Sequence, residues 1–266
     1  MTDPSKTLDL MKSLKLKGMA AVLERELARA DMEGLAPAEV INRLVLEEFH
    51  HRQERSLLYR IDQAAMPWPW TLETFPFHQQ PGVGKSQIMG LASLSFLDRS
   101  ENIVFIGDPG TGKTGLAIGL LRQALVSGLR GRFYKAQDLL DELYASLADR
   151  TTAKLLKRLV RYDLLVIDEL GYLTLNAEQV NAFFKLMDER YSRKSTIITS
   201  NLDYPLWYDL FQRKPLVDAL LDRLKHHCIT IRISGPSLRV PAHAQPQQTD
   251  QNPSKTKTAK INATPK

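Results

Sequence analysis

Cysteine is almost absent from this chain: Cys228 is the only one in 266 residues. One thiol closes no internal disulfide and builds no Cys-rich zinc module, so a disulfide framework is excluded and a reducing compartment is the natural setting. Long apolar runs are missing as well. No stretch approaches the roughly 18 to 20 apolar residues of a membrane span, and residues 1–16 hold no continuous apolar core behind their charges. A cytoplasmic protein with no membrane partner is expected. Charge of one sign is not in great excess either, at +6 net. Residues 1–75 carry ten Lys and Arg against twelve Asp and Glu, residues 76–240 twenty-two against seventeen, and residues 241–266 four against one. A polyanionic partner is compatible with that surplus but is not required by it.

What is present reads as an ordinary globular composition, with 43% hydrophobic and 25% charged residues. The length suits one large domain or a medium one beside a small one. Residues 5–65, within a first region of 1–66, lack strand-like alternation. Leu8, Met11, Leu14, Val22, Leu23 and Leu27 fall at roughly helical spacing, and after Pro37 a second stretch places Ile41, Leu44, Val45, Phe49, Leu57, Leu58 and Ile61 on one apolar face of a long helix interrupted by polar turns. A small all-helical domain is expected, ended by Met66-Pro67-Trp68-Pro69-Trp70 because prolines cannot continue a helix. Residues 67–100 are expected to hold a linker and a leading helix.

From residue 101 to 240 the pattern changes. Apolar runs at Asn102–Ile106, Gly131–Tyr134, Leu164–Ile167, Thr196–Thr199 and Ile229–Ile233 alternate with stretches long enough for helices. Strands so separated cannot be hairpins, so the spacing predicts an α/β domain with a mostly parallel sheet and helices on its faces. Residues 241–266 hold four prolines, four lysines and one large apolar residue, Ile261, and are expected to be a disordered Lys/Pro/Gln-rich tail.

Within that domain, Gly107-Asp108-Pro109-Gly110-Thr111-Gly112-Lys113-Thr114 follows an apolar run and precedes a helical one, with Gly115 opening the latter. Glycines let such a loop wrap phosphates with its backbone N–H groups and the helix N-terminus. Lys113 is then expected to reach the β and γ phosphates of ATP, and the Thr114 hydroxyl to hold Mg2+. A near-match, Pro81-Gly82-Val83-Gly84-Lys85-Ser86, has Gln79 where the motif needs Gly and no core strand before it. It reads as a loop leading into a helix over 86–95.

Tyr162-Asp163-Leu164-Leu165-Val166-Ile167-Asp168-Glu169 is an apolar strand closed by two carboxylates. Asp168 is a candidate for the Mg2+ shell and Glu169 for activating the attacking water, a pairing that favours hydrolysis over transfer to a small acceptor. Asn201, ending the next apolar run, is a candidate to bond the lytic water or the γ phosphate, although a simple turn Asn explains it equally. Arg223 and Arg239 are candidates to offset charge developing on the γ phosphate, Arg223 from an adjacent subunit; half of a surface ion pair is the alternative for Arg223.

Arg150, Lys154, Lys157, Arg158 and Arg161 form a helical stripe opposite Leu155, Leu156 and Leu159. Such a stripe can neutralise DNA phosphates without reading bases, or can be a solvated face. Lys12, Lys15 and Lys17 are a second candidate on the first helix. His226, His227 and Cys228 are adjacent and cannot all point at one ion, so no metal site is expected there.

These motifs together resemble the IstB-like ATPases, transposition helpers of bacterial insertion sequences and AAA+ relatives of the DnaC helicase loaders and DnaA. The resemblance runs over about residues 8–240. It is carried by Leu14–Ala20, Glu101-Asn102 before the glycine loop, Ile167–Tyr172, Arg190-Tyr191 with Ser195–Asn201, and Leu221–Leu224. Gly115, Ser192 and Leu238 depart from the family's usual His, acidic residue and Tyr. The resemblance implies a P-loop AAA+ three-layer fold, an N-terminal helical domain that helps bind double-stranded DNA, an ATP-dependent homo-oligomer in a ring or spiral, and stimulation of a transposase encoded by the same element. A nucleotide-sensing role for Arg239 is implied in the same way. A replicative helicase loader, in which residues 1–66 grip a helicase, is the alternative. A small-molecule kinase is disfavoured because no acceptor pocket or lid is legible.

Overall fold

The runs at Asn102–Ile106, Leu164–Ile167 and Thr196–Thr199 are hydrophobic at successive positions and rich in Ile, Val and Leu, which fits strands covered on both faces, while Gly131–Tyr134 and Ile229–Ile233 carry Arg132 and Arg232. The computed structural model describes residues 4–171 and 173–239 and forms a strand on each run: β1 (Asn102–Gly107), β2 (Gly131–Lys135), β3 (Leu164–Asp168), β4 (Ser195–Ser200) and β5 (Cys228–Ile233). They pair in parallel throughout, in the order β2-β3-β4-β1-β5. Around them lie α1 (Pro4–Ser13), α2 (Lys17–Glu33), α3 (Pro37–Ala64), α4 (Lys85–Leu91), α5 (Ser95–Asp98), α6 (Lys113–Val126), α7 (Ala136–Ala148), α8 (Thr152–Val160), α9 (Ala177–Arg190), α10 (Trp207–Phe211) and α11 (Lys214–His226).

Successive strand residues feed opposite layers. Ile103, Phe105, Leu164, Val166 and Ile197 pack with Leu116, Leu120 and Leu121 of α6, whereas Val104, Ile106, Leu165, Ile167 and Ile198 pack with Leu139, Leu159, Phe183 and Trp207. Each such buried side chain is worth about 2 kcal/mol, so the two clusters on either side of the sheet hold the three layers together. Arg190 is also fully buried. Its guanidinium donates to the carbonyls of Leu159 (2.8 Å), Tyr162 (3.0 Å) and Ser195 and to the Thr196 hydroxyl (3.0 Å), tying the end of α8 to the start of β4. Burial pulls its pKa down to about 9.

The helical region departs from its sequence reading in three ways. The helix over α3 is uninterrupted for 28 residues. Its apolar residues do not share one covered face: Val40 and Leu44 pack against α2, Leu57 and Ile61 join the core beside α6, and Ile41, Val45, Phe49 and Leu58 are exposed. The first helix ends early, because Lys15 turns into the left-handed region at φ 60°. Lys12 therefore closes α1, Lys15 lies in the turn and Lys17 opens α2.

That turn explains the Leu-Lys-Gly segment. The Glu48 carboxylate of α3 accepts the Gly18 and Met19 amides at 2.8 and 3.2 Å, satisfying donors that a helix N-terminus leaves free. A Cβ at Gly18 would meet the Glu47 carbonyl and the Glu48 backbone within 3.0 Å, so only glycine allows α2 this close to α3.

Residues 67–100 pack on the sheet domain. The helix expected over 86–95 stops at Leu91, and Leu94, at φ 63°, separates it from α5. Among the described residues, no helix is long and apolar enough to cross a membrane. The tail assigned to 241–266 lies outside the described residues.

Candidate nucleotide site

The parallel sheet brings the C-terminal ends of β1, β3 and β4 to one edge, where open α/β sheets hold ligands. A cleft of about 580 Å³ opens there, and Gly110, Lys113, Glu169, Thr199, Asn201 and Arg239 are among its lining residues. The loop after β1 makes it possible. Gly110 and Gly112 take φ values of 86° and 93°, which L side chains rarely adopt. The chain then turns directly into α6.

Lys113 Nζ donates to the carbonyls of Gly107 (2.6 Å) and Asp108 (2.8 Å), holding the ammonium against the loop. Burial pulls its pKa below the usual lysine value, with Asp168 and Asp108 opposing that pull. The Thr114 hydroxyl donates to Asp168 Oδ1 at 2.9 Å, so the two residues singled out for a metal ion are in contact. Thr199 donates to the same Oδ1 at 2.6 Å. Asp168 is 2% exposed, and burial raises its carboxyl above the ordinary range against those two hydrogen bonds. A hydroxyl beside a buried carboxylate is a hard oxygen donor set, the kind Mg2+ takes together with phosphate oxygens and water. Among the described residues there is no separate group of three or more His, Cys, Asp or Glu for a metal ion.

Glu169 leaves the strand at φ 62° and its side chain borders the cleft. Asn201 borders it too, and its Oδ1 lies 2.1 Å from where a Cβ of residue 171 would stand, so Gly171 lets the β3 loop close on the end of β4. Arg239 reaches the cleft mouth on a strap formed by the residues after β5. The Leu238 amide donates to the Gly110 carbonyl at 2.8 Å. Arg223 is not brought in. It sits on α11, paired with Asp188 of α9 at 2.6 Å and lying over the Tyr191 ring.

One wall was not anticipated. Trp70, Thr71, Thr74, Phe75 and Pro76 line the cleft, from a segment read as a linker. Gly112 faces Phe75, Gly115 faces Trp70 and Gly119 faces Leu72, so small residues on one side of α6 accommodate this segment. That glycine spacing was the signal available in the sequence. The near-match loop has a packing role. Gln80, fully buried, donates to the carbonyls of Thr111 (3.2 Å) and Pro236 (3.0 Å), and Gly82 abuts the Ser234 carbonyl. Lys85 is exposed, over the Phe77 ring.

The basic stripe is narrower than its spacing implied. Arg150 precedes α8 at φ 55°, and Arg158 pairs with Glu142. Lys154, Lys157 and Arg161 are exposed and make no ion pair among the described residues. Of the His-His-Cys run, His227 packs on Tyr191, and burial pushes the Cys228 thiol up to about 11.

Comparison with known proteins agrees with this geometry. Residues 9–246 match the model of a family described as IstB-like ATP binding protein. The chain is 36% identical over 231 residues to an ATP-binding protein of insertion sequence IS21 from Pseudomonas aeruginosa, covering 87% of each chain. It is 36% identical over 230 residues to that of IS232 from Bacillus thuringiensis subsp. berliner, covering 86% of this chain and 92% of the relative. Among solved structures, the DnaC helicase loader matches with a TM-score of 0.53 and 25% identity, over 63% of this chain and 98% of that one. The replication initiator DnaA, bound to AMPPCP and single-stranded DNA, matches with a TM-score of 0.54 and 21% identity, over 65% of this chain and 52% of that one. The chain is thus a member of the IstB-like ATP-binding proteins of IS21-type insertion sequences, built on the AAA+ fold of DnaC and DnaA.

Proposed function

We propose that this protein hydrolyses Mg-ATP, oligomerises on double-stranded DNA in its ATP state as a ring or spiral, and stimulates the transposase encoded by the same insertion sequence. The observation that carries the reading is the convergence of Lys113, Thr114 and Glu169 in one cleft, with Asp168 hydrogen-bonded to Thr114. The 107–114 loop amides and Lys113 bind the phosphates. The base lies against Trp70 and Phe75, whose rings offer an apolar face.

Thr114 and Asp168 are the residues that would hold magnesium, which when bound neutralises phosphate charge. Glu169 accepts a proton from the attacking water as its oxygen bonds to the γ phosphorus, and the bond to the β–γ bridging oxygen breaks to give ADP and phosphate. Asn201 hydrogen-bonds that water or the γ phosphate. Arg239 at the cleft mouth senses the nucleotide in its own subunit. Arg223, outside the cleft of its own chain, serves a neighbouring subunit's γ phosphate in this reading.

DNA contact is assigned to Lys154, Lys157 and Arg161, with Arg150, Arg158 and Lys12, Lys15 and Lys17 contributing charge. Binding should be cooperative and weakly sequence-selective, since such contacts meet phosphates. A helicase-loader role is less well supported. The IS21 and IS232 relatives align over 87% and 86% of this chain, whereas the loader matches 63% of it.

Filter binding to a duplex across a salt series, with and without ATP, tests the reading. Tighter binding with ATP that weakens steeply as salt rises is expected. Equal binding without nucleotide, or affinity flat in salt, overturns it. Mixing Arg223→Ala with Lys113→Ala protein should restore part of the ATPase activity if Arg223 acts across a subunit boundary. No rescue at any ratio removes that role.

A further inference from the structure

The carboxylate pair after β3 does not hold its own geometry. Glu169 sits in the left-handed region at φ 62°, a backbone conformation that a non-glycine residue rarely adopts and that persists only when its surroundings impose it. What imposes it is on β4. The Glu169 amide donates to Thr199 Oγ1 at 2.9 Å, and the same hydroxyl donates its own hydrogen to Asp168 Oδ1 at 2.6 Å. One buried hydroxyl, 1% exposed, therefore acts once as acceptor and once as donor, using its single hydrogen on the carboxylate. The next residues finish the junction: the Leu170 amide donates to the Thr199 carbonyl at 2.9 Å, and the Ser200 hydroxyl donates to the Leu170 carbonyl.

The paired registers of β3 and β4 run from Leu164 with Ser195 to Ile167 with Ile198. Past that point the Glu169 amide goes to the Thr199 hydroxyl and the Leu170 amide to the Thr199 carbonyl, so two successive amides of the β3 loop are held by one residue of β4 while the chain turns and Glu169 borders the cleft.

We propose that Thr199 is a positioning residue for hydrolysis: its hydroxyl orients the Asp168 carboxylate through one bond and fixes the left-handed turn that presents Glu169 to the attacking water through the other. This rests on the proposed hydrolysis. It assigns to Thr199 no contact with the reacting atoms. It also makes the pose of Glu169 a property of β4, the strand that leads directly into Asn201, so the two candidate groups facing the lytic water are mechanically joined.

Thr199→Val keeps the shape and removes the hydroxyl; Thr199→Ser keeps the hydroxyl and removes a methyl. The expected result for Thr199→Val is a kcat lowered by about 10-fold to 100-fold with the affinity for ATP in the absence of magnesium within about threefold of the parent, because the phosphate loop and Lys113 are untouched. Thr199→Ser should recover kcat to within about threefold of the parent, even though it is the variant that leaves a small cavity. In a Glu169→Gln background, the added Thr199→Val change should cost single-turnover hydrolysis less than it costs the parent, since residues acting through one another are not additive.

An unchanged kcat in Thr199→Val overturns the proposal, as does Thr199→Ser matching Thr199→Val, or a full additive loss in the double variant. If Glu169→Gln alone hydrolyses ATP at the parent rate, the hydrolysis reading itself fails. If Glu169→Gln is inactive and Thr199→Val is not impaired, only the role of Thr199 falls.

Discussion

Two loops in this chain end in Gly-Lys followed by a hydroxyl residue, and they have opposite fates. The one at 107–114 follows a buried strand, β1, takes two left-handed glycines and delivers Lys113 and Thr114 to a cleft, where Thr114 meets Asp168. The one at 81–86 follows a short 3-10 turn, leaves Lys85 exposed and spends its glycine on packing, with Gly82 against the Ser234 backbone. The residue types are nearly the same. The difference lies in what each loop is anchored to: a phosphate loop works only where a strand end, a helix N-terminus and a second strand's carboxylates converge.

The sharpest way to break that comparison is to remove the chemistry present at one loop only. Glu169→Gln should lower ATP hydrolysis by about 100-fold or more while nucleotide affinity is retained, read by phosphate release beside equilibrium binding. Continued turnover would strip Glu169 of its role.

Packing is the next largest contrast. A Cβ at Gly82 would stand 1.8 Å from the Ser234 carbonyl, whereas one at Gly84 meets nothing nearer than 3.7 Å. Gly82→Ala should therefore destabilise the fold by about 2 to 4 kcal/mol, and Gly84→Ala should change it by less than about 0.5 kcal/mol, measured by urea denaturation. Equal effects would mean that the second loop is not held as described.

Gln80 links the two loops. Gln80→Leu removes both bonds to the Thr111 and Pro236 carbonyls and should cost about 1 to 3 kcal/mol of stability. ATP affinity should fall only a few-fold, because the phosphate loop keeps its own glycines and lysine.

The smallest effect concerns burial of charge. The Asp168 carboxyl titrates above its ordinary value in the folded chain, so its ionised form costs stability at neutral pH, and the cost disappears below the unfolded value, where both states are protonated. Asp168→Asn in nucleotide-free, chelator-treated buffer should be more stable than the parent near pH 7.5. The gain should shrink as pH falls toward about 4. A gain that grows on acidification would reverse the assigned shift.

Much of this was legible in the residues. The three central strands β1, β3 and β4 carry continuous apolar stretches, and burial on both faces leaves that mark, whereas the edge strands β2 and β5 mix in Arg132, Lys135, Thr230 and Arg232. Asp168, Glu169 and Asn201 stood at or just past strand ends and Lys113 and Thr114 at the start of the helix that follows β1, and the fold gathers them because parallel strands point the same way. What was not legible depends on partners distant in sequence. Trp70 and Phe75 look like a proline-bounded linker until α6 offers them Gly115 and Gly112. The Thr199 hydroxyl gained its role only by meeting Glu169 across two strands. The split of Lys12 from Lys17 follows from a left-handed turn at Lys15, a position whose side chain gives no hint of it.

The most direct test of the central claim is equilibrium binding of labelled ATP to the parent, Lys113→Ala and Lys85→Ala proteins. One nucleotide per chain, lost by about 100-fold or more in affinity in Lys113→Ala and held within about twofold in Lys85→Ala, is the predicted result. Two nucleotides per chain, or binding that survives Lys113→Ala and fails in Lys85→Ala, would contradict it.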